Sequence, residues 1–411
     1  MKILIFSQFF PPEMEPTGFM FNSFSIHLAK SKRVSHVEVI CGFSNFPEGK
    51  FNDRKWYSFF RTRNKSGVKI SNVFVIPSNN KSNLKRIINY TSYLITAFIK
   101  GIFSKKPDII VASSPPIFAA IAALIVAKLK RAKFILDIRD IWPESAVQMG
   151  SISNVKIIKI LEYFEKVLYK NADLITVATP GMINIVRSKI PEKEIKIEYI
   201  PCGVSIPDEQ DVLAKGGNPF DEEDHNKFCV LYAGLHGHAQ KLSTIIDAAN
   251  ILRDRSDIVF YFIGAGPNKD FVVDYANDLM LTNVRFLPPV SRDLIRRYYV
   301  FAGCGIVPLQ DLNIFKNVFP SKTFELMSYG VPSIVGVGGE IAKVIDKSKA
   351  GISVSPEKAK SYVAAIERYS SDTNYRLEAK NNAYKTAKSD FDYDVINENF
   401  EDLLYEVFET K

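Results

Sequence analysis

The chain has 411 residues, 46% of them hydrophobic, which excludes wholesale disorder and exceeds the about 250–300 residues that one core can organise. Its four cysteines (Cys41, Cys202, Cys229 and Cys304) lie far apart with no CxxC pair, which excludes a disulfide framework and a zinc ribbon. The net charge is +8, but residues 1–133 hold 21 Lys+Arg against 6 Asp+Glu, a balance of +15 that leaves −7 for residues 134–411; so basic a first half predicts a polyanionic partner, either nucleic acid or an anionic membrane.

The opening apolar run is too short for a secretory h-region of about 7–15 residues. The longest apolar run, Ile117 to Ala127, falls short of the about 20 residues that a membrane span needs. A strand at Ile3–Ser7 leads through a loop with Pro11, Pro12 and Gly18 to a helix over about Phe19–Ser31 and a strand at His36–Cys41. This is the opening of a doubly wound sheet. Further strands read at Val68–Ile76, Asp108–Ala112, Lys133–Asp137 and Leu174–Val177, short apolar runs that suit parallel strands buried on both faces. Residues 1–204 form this first domain. Ser205–Lys227, rich in Asp, Gly, Glu and Pro, reads as a linker. The alternation then restarts: strand Cys229–Tyr232, glycines 234 and 237, helix Ser243–Arg255, then strands at Val259–Ile263, Val284–Phe286, Cys304–Val307 and Ser333–Val337. Residues 228–390 make a second domain, and residues 391–411 hold an amphipathic helix, about Val395–Glu409, expected to pack across both. The expected fold class is α/β, two Rossmann-like doubly wound domains facing a cleft, with ligands at the carboxyl ends of the strands.

The sharpest segment is Phe319-Pro320-Ser321-Lys322-Thr323-Phe324-Glu325, followed by Gly338-Gly339-Glu340. Pro320 and Ser321 mark a helix start. A lysine in the first turn opposes the helix dipole, while amides and an ammonium there together favour a bound anion such as a diphosphate. Glu325 lies one turn along the same face, where a carboxylate can accept hydrogen bonds from vicinal hydroxyls; a surface i,i+3 pair is the alternative.

These residues resemble the donor-binding signature of retaining, family-4-type glycosyltransferases of the GT-B fold. Tyr232-Ala233-Gly234-Leu235-His236-Gly237-His238-Ala239-Gln240-Lys241 is similar to the glycine loop that opens their second domain, and Ile200-Pro201-Cys202-Gly203-Val204 to their usual domain exit. Asp137-Ile138-Arg139-Asp140-Ile141-Trp142-Pro143-Glu144-Ser145 and Ser7-Gln8-Phe9-Phe10-Pro11-Pro12-Glu13 resemble a narrower subgroup, O-antigen and capsule transferases that add N-acetyl-L-fucosamine or related aminosugars. The resemblance implies that Glu325 holds the donor ribose. It implies that Ser321 and Lys322, with Gly234, Gly237 and Gln240, cradle the diphosphate. Arg285, Phe286 and Leu287 would bracket the uracil, and Gly339 and Glu340 would meet the sugar or phosphate. Gly18, Asp137 and Glu144 fall on the acceptor side. Two features depart from the family. Asn317 stands where many relatives carry a first glutamate, and Asp137, Arg139 and Asp140 stand where a histidine is usual. Asp140 is the expected residue for orienting the acceptor hydroxyl, with a helix cap as its alternative, and Arg139 is expected beside a substrate phosphate. Of the five histidines only His236 and His238 sit in a glycine loop. Asp390, Asp392 and Asp394 read as cap and surface, so no metal or other cofactor is expected.

Leu84–Pro107 is basic at both ends with Tyr90, Tyr93, Phe98 and Phe103 between, and Phe51–Lys65 sets Trp56, Tyr57, Phe59 and Phe60 among Arg54, Lys55, Arg61, Arg63 and Lys65. Both suit an interface with anionic lipid. The expected partners are thus a UDP-sugar, a lipid-diphosphate-linked saccharide acceptor and the anionic inner face of the plasma membrane, without nucleic acid, since no recognition-helix or RNP-type motif is present. A 2-epimerase acting on a UDP-sugar is the competing reading.

Overall fold

The computed structural model describes residues 1–13, 15–45, 49–51, 58–78, 83–150, 152–208, 212–213 and 216–410. They form two compact units: Met1–Cys202 with Tyr393–Lys411, and Gly203–Asp392.

In unit 1 the chain runs β1 (Lys2–Phe6), α1 (Pro16–Lys30), β2 (His36–Gly42), β3 (Phe60–Lys65), β4 (Val68–Val73), α2 (Asn83–Ile102), β5 (Ile109–Ser114), α3 (Ile117–Lys130), β6 (Lys133–Ile138), α4 (Glu144–Gln148), α5 (Val155–Asn171), β7 (Leu174–Val177), α6 (Pro180–Lys189) and β8 (Ile197–Tyr199). Among the described residues these strands make one sheet of order β3-β4-β2-β1-β5-β6-β7-β8, parallel except where β3 runs antiparallel to β4. The central strands are buried on both faces, which is why they read as unbroken apolar runs. The described part of the basic aromatic stretch ending at Lys65 is largely this edge strand, whose charged alternation (Arg61, Arg63, Lys65) protects a sheet edge; Arg54, Lys55, Trp56 and Tyr57 fall outside the described residues.

In unit 2 the elements are β9 (Phe228–Ala233), α7 (Ser243–Ile251), β10 (Ile258–Ile263), α8 (Lys269–Asp278), β11 (Val284–Leu287), α9 (Arg292–Phe301), β12 (Cys304–Pro308), α10 (Ser321–Ser328), β13 (Ser333–Gly336), α11 (Glu340–Ser348), β14 (Gly351–Ser353), α12 (Ala359–Ser371) and α13 (Thr373–Thr386). Their strands form an all-parallel sheet of order β11-β10-β9-β12-β13-β14. The stretch read as a linker contributes to this unit's core. Phe220 is buried edge-on against Tyr261 and Tyr298, and the Tyr261 hydroxyl bonds Asp224 at 2.7 Å.

The final helix, α14 (Tyr393–Glu409), had been expected across both domains. It is part of unit 1, where it packs on α1. Phe24 stacks on Phe400 with centroids 4.3 Å apart, and Glu401 takes His27 at 2.7 Å and the Ser31 hydroxyl on its two oxygens.

Candidate functional site

The glycine loop of unit 2 begins where β9 ends. Gly234 turns the chain at φ +137°, a conformation open to glycine and strained for other residues. A second loop lies against it, following β10. Gly234 N–H donates to Ile263 O at 2.8 Å, His236 N–H to Ala265 O at 2.9 Å and Asn268 N–H to His236 O at 2.9 Å. A Cβ on Gly264 would fall 1.9 Å from Gly234 O, so the two strand-end loops touch backbone to backbone. Gly237 N–H donates to the Gln240 side-chain oxygen at 3.1 Å, closing the loop on itself. His236 is fully buried here between Tyr232 and Phe262, and burial beside Lys269 and Lys322 pushes its imidazole down to about 4. It is a neutral packing residue at ordinary pH. His238 is exposed.

Lys322 crosses this loop from the first turn of α10. That helix begins behind Pro320 with no side-chain cap, so its leading amides are not taken by a capping group. The ammonium lies 4.2 Å above the Tyr232 ring centroid and donates to the Tyr232 hydroxyl at 2.8 Å. A Cβ on Gly234 would meet Lys322 Cε at 2.2 Å and Nζ at 2.3 Å. The glycine is thus the floor that the lysine needs. Burial pushes Lys322 down to about 8, only partly offset by Glu325. Glu325 itself is raised by burial, against the lowering effects of the nearby Tyr299 hydroxyl and of Arg292, Lys322 and Arg296. A poorly solvated ammonium whose bonded partner is a phenol, one helical turn from a carboxylate, is a site with unused capacity for an anion and for hydroxyl donors.

Gly339 precedes α11 at φ +81°, and a Cβ there would lie 2.0 Å from Lys316 O. Glu340, the first residue of α11, pairs with Lys343 at 2.5 Å. Arg285, Phe286 and Leu287 are not a single cluster. Successive strand residues face opposite ways, and Arg285 turns to Glu223 at 2.7 Å and Asp224 at 3.3 Å while Phe286 stacks on Phe262 at 5.2 Å. The side chains of Arg285 and Phe286 therefore lie on opposite faces of β11. Leu287 ends the strand beside the second glycine loop, its carbonyl taking Gly264 N–H at 3.2 Å and the Lys269 ammonium at 2.7 Å.

In unit 1, Asp137 and Arg139 lie two apart on β6 and its exit and face the same way. Arg139 Nε donates to Asp137 at 2.6 Å, a second guanidinium nitrogen meets the other oxygen, and a third contact reaches Ile200 O at 2.9 Å. Thr176 completes Asp137 at 2.7 Å. Asp137 is fully buried and the Arg139 side chain 6% exposed. The pair ties β6 to β7 and to the chain after β8, so Arg139, expected at a phosphate, is already satisfied within the unit. Asp140 differs. Burial raises its carboxyl above the ordinary range, opposed by the nearby Ser145 hydroxyl and Ile141 amide. It does not cap a helix, since α4 starts behind Pro143. Glu144 is half-exposed at the start of α4, 3.8 Å from Lys189. Gly18 N–H is capped by Glu15 at 2.9 Å, and its bare Cα lets α1 approach Phe9 O. Among the described residues no group of three or more His, Cys, Asp or Glu is arranged to hold a metal.

Residues 218–386 match the family model described as glycosyl transferases, group 1, a span inside unit 2 that holds both glycine loops, Lys322 and Glu325. Over 386 residues the chain is 25% identical to the putative colanic acid biosynthesis glycosyl transferase WcaI of Escherichia coli K12, covering 90% of this chain and 92% of that one. It is 22% identical over 298 residues to the probable glycosyltransferase WbjE of Pseudomonas aeruginosa, covering 69% and 72%. Among solved structures, sucrose-phosphate synthase of Thermosynechococcus elongatus superposes with a TM-score of 0.78 at 14% identity over the full length of both chains. HepE of Anabaena in complex with UDP superposes with a TM-score of 0.69 at 16% identity over 99% of this chain and all of that one. The fold is therefore GT-B, and the protein is a glycosyltransferase.

Three parts of this glycosyltransferase escaped sequence reasoning. The second glycine loop, Gly264-Ala265-Gly266, was signalled by two glycines directly after an apolar strand. Tyr232 and Tyr299, which hold Lys322 and Glu325, carried no signal, because aromatic residues in a strand and on a helix read as core. Glu15, whose carboxyl burial raises, was signalled by the proline after it.

Proposed function

We propose that this glycosyltransferase transfers a sugar from a UDP-sugar, with retention at the anomeric carbon and without a metal, to a lipid-diphosphate-linked saccharide in bacterial surface polysaccharide assembly. The observation that carries the reading is Lys322, a half-buried ammonium held over Gly234 at the uncapped start of α10 with Glu325 one turn on. In this reading the diphosphate lies on the Gly234–Gly237 loop, with Lys322 and the amides of Ser321 and Lys322 meeting the charge that grows as the sugar–phosphate bond breaks. Glu325 accepts from the ribose hydroxyls, Leu287 borders the base, and Gly339 and Glu340 face the donor sugar or its phosphate. Asp140 orients the acceptor hydroxyl. That oxygen bonds the anomeric carbon on the face the diphosphate leaves, and its proton passes to the departing phosphate oxygen. N-acetyl-L-fucosamine or a related N-acetylhexosamine is the proposed sugar, on the resemblance of the Asp137–Ser145 segment. The WcaI likeness supports polysaccharide assembly, and the UDP in HepE supports the nucleotide. The acceptor places the reaction at the anionic inner face of the plasma membrane.

Mass-spectrometric product analysis with a panel of UDP-sugars, with and without a synthetic lipid-diphosphate monosaccharide, tests this. The expected result is an acceptor-dependent gain of one sugar, abolished by Lys322→Ala and by Glu325→Ala. An altered UDP-sugar formed without acceptor would replace the transferase by an epimerase.

A further inference from the structure

Helix α2 is apolar on two opposite sides. Its inner side sends Tyr93 and Ala97 into the core, and Gly101 lets it close on α3, since a Cβ there would lie 2.8 Å from Val126. On the opposite side Leu84, Ile88, Ile95, Ile99 and Ile102 recur at intervals of four, seven, four and three residues, one stripe along the helix. All five are exposed, Leu84 by 67% and Ile95 by 51%, and Phe103 just beyond is 79% exposed. At about 1.5 Å per residue the stripe is roughly 27 Å long. Helix α3, packed alongside, extends it with exposed Ile125 and Leu129. An outward ridge of large aliphatic side chains is costly in water unless something covers it.

The charges around it say what. From Arg54 to Leu136 the only acidic residue is Asp108. Lys85, Lys105 and Lys106 flank the stripe at the two ends of α2, and exposed Lys128 and Arg131 flank the ridge on α3. A second copy docking on this face would bring like charges together with little acid to offset them. A bilayer of anionic lipid offers apolar depth and negative headgroups at once.

We propose that the outer face of α2, with the adjoining ridge of α3, is the surface on which this protein lies on an anionic membrane. The helix axis runs in the plane of the headgroups, the Leu and Ile stripe enters the first acyl layer, and the flanking lysines meet lipid phosphates. No helix among the described residues is long and apolar enough to cross the membrane. This inference rests on the lipid-linked-acceptor reading above and deepens it by naming the docking face.

The test is flotation of the full chain with vesicles that contain no acceptor lipid, either pure phosphatidylcholine or phosphatidylcholine with phosphatidylglycerol. The wild type is expected to float with the anionic vesicles only, and less so as salt is raised. Ile95→Glu with Ile99→Glu is expected to lower partitioning by about tenfold or more, leaving the circular dichroism spectrum and turnover of a short-chain, water-soluble acceptor unchanged. Lys105→Glu with Lys106→Glu is expected to weaken binding and flatten its salt dependence. A wild type that stays in solution with anionic vesicles at low salt overturns the proposal. So does a paired Ile variant that floats as well as wild type, including one in which a dimer becomes a monomer, which would make the stripe a self-association surface. Because the vesicles carry no acceptor, flotation without any transfer activity would sink the acceptor reading and leave the docking face standing.

Discussion

Replacing Gly234 by alanine separates the two tasks of that residue. The first is conformational: φ +137° strains a side-chain-bearing residue, at a cost of about 1–3 kcal/mol in unfolding free energy. The second is spatial. The new methyl would sit 2.2 Å from Lys322 Cε, and the flexible lysine tip would yield before the loop backbone did, so Lys322 leaves its seat on Tyr232. A hydrogen bond to a charged group contributes about 1.5–3 kcal/mol, so UDP should bind about tenfold to a hundredfold more weakly. Isothermal titration with UDP reads the second effect, and urea unfolding reads the first. Lys322→Ala provides the control, because with the lysine absent Gly234→Ala should cost stability and little further affinity. If the single variant binds UDP as tightly as wild type, or loses as much affinity again in the Lys322→Ala background, the floor-and-lysine account is wrong.

Other outcomes follow from the same geometry. Lys322 titrates near 8 in the unliganded chain and a bound diphosphate favours its ammonium, so on the alkaline side UDP affinity should fall as pH rises through about 8. The folded chain should move oppositely: its lysine value lies below the unfolded one, so unfolding free energy rises as pH climbs from about 8 towards the ordinary lysine range. Titrations and urea melts from neutral to alkaline pH check both, and Lys322→Ala should flatten both. Tyr299→Phe removes a hydroxyl that lowers Glu325, so the acid limb of UDP binding should shift to higher pH while the alkaline limb stays put. Asp137→Asn strands the buried Arg139 charge and should cost about 3–5 kcal/mol in a urea melt, with turnover per folded molecule retained; a loss of turnover without a loss of stability would return Arg139 to the substrate.

What the sequence disclosed follows the physics of burial. Strands such as Leu174–Val177 lie inside a sheet covered on both faces, so the run of apolar residues states the element outright. The start of α10 was legible because Pro320 and Ser321 are local signals. β3 was not, because an exposed edge strand carries charge in place of an apolar run. Within the candidate site, spacing set Lys322 and Glu325 one turn apart at a helix start, with a surface pair as the alternative, and the resemblance supplied their roles. That Arg285 and Phe286 diverge depends on which face of β11 meets β10, and that Arg139 is consumed by Asp137 depends on Thr176 and Ile200, brought in from two other segments. Phe220 was hidden by its polar neighbours, which gave the whole stretch the composition of a linker.

The division of the chain also bears on how it is made. Unit 1 is discontinuous: its residues up to Cys202 await Tyr393–Lys411, and α14 supplies the stacking partner of Phe24 and the carboxylate of His27. Unit 2 is one unbroken stretch, closed where Val204 N–H donates to Phe391 O at 2.8 Å. On the ribosome, therefore, the half of the protein that is synthesised first is the half completed last. Its α1 face waits uncovered through the whole translation of unit 2, and a nascent chain halted just before Tyr393 would carry a finished second unit beside an unfinished first.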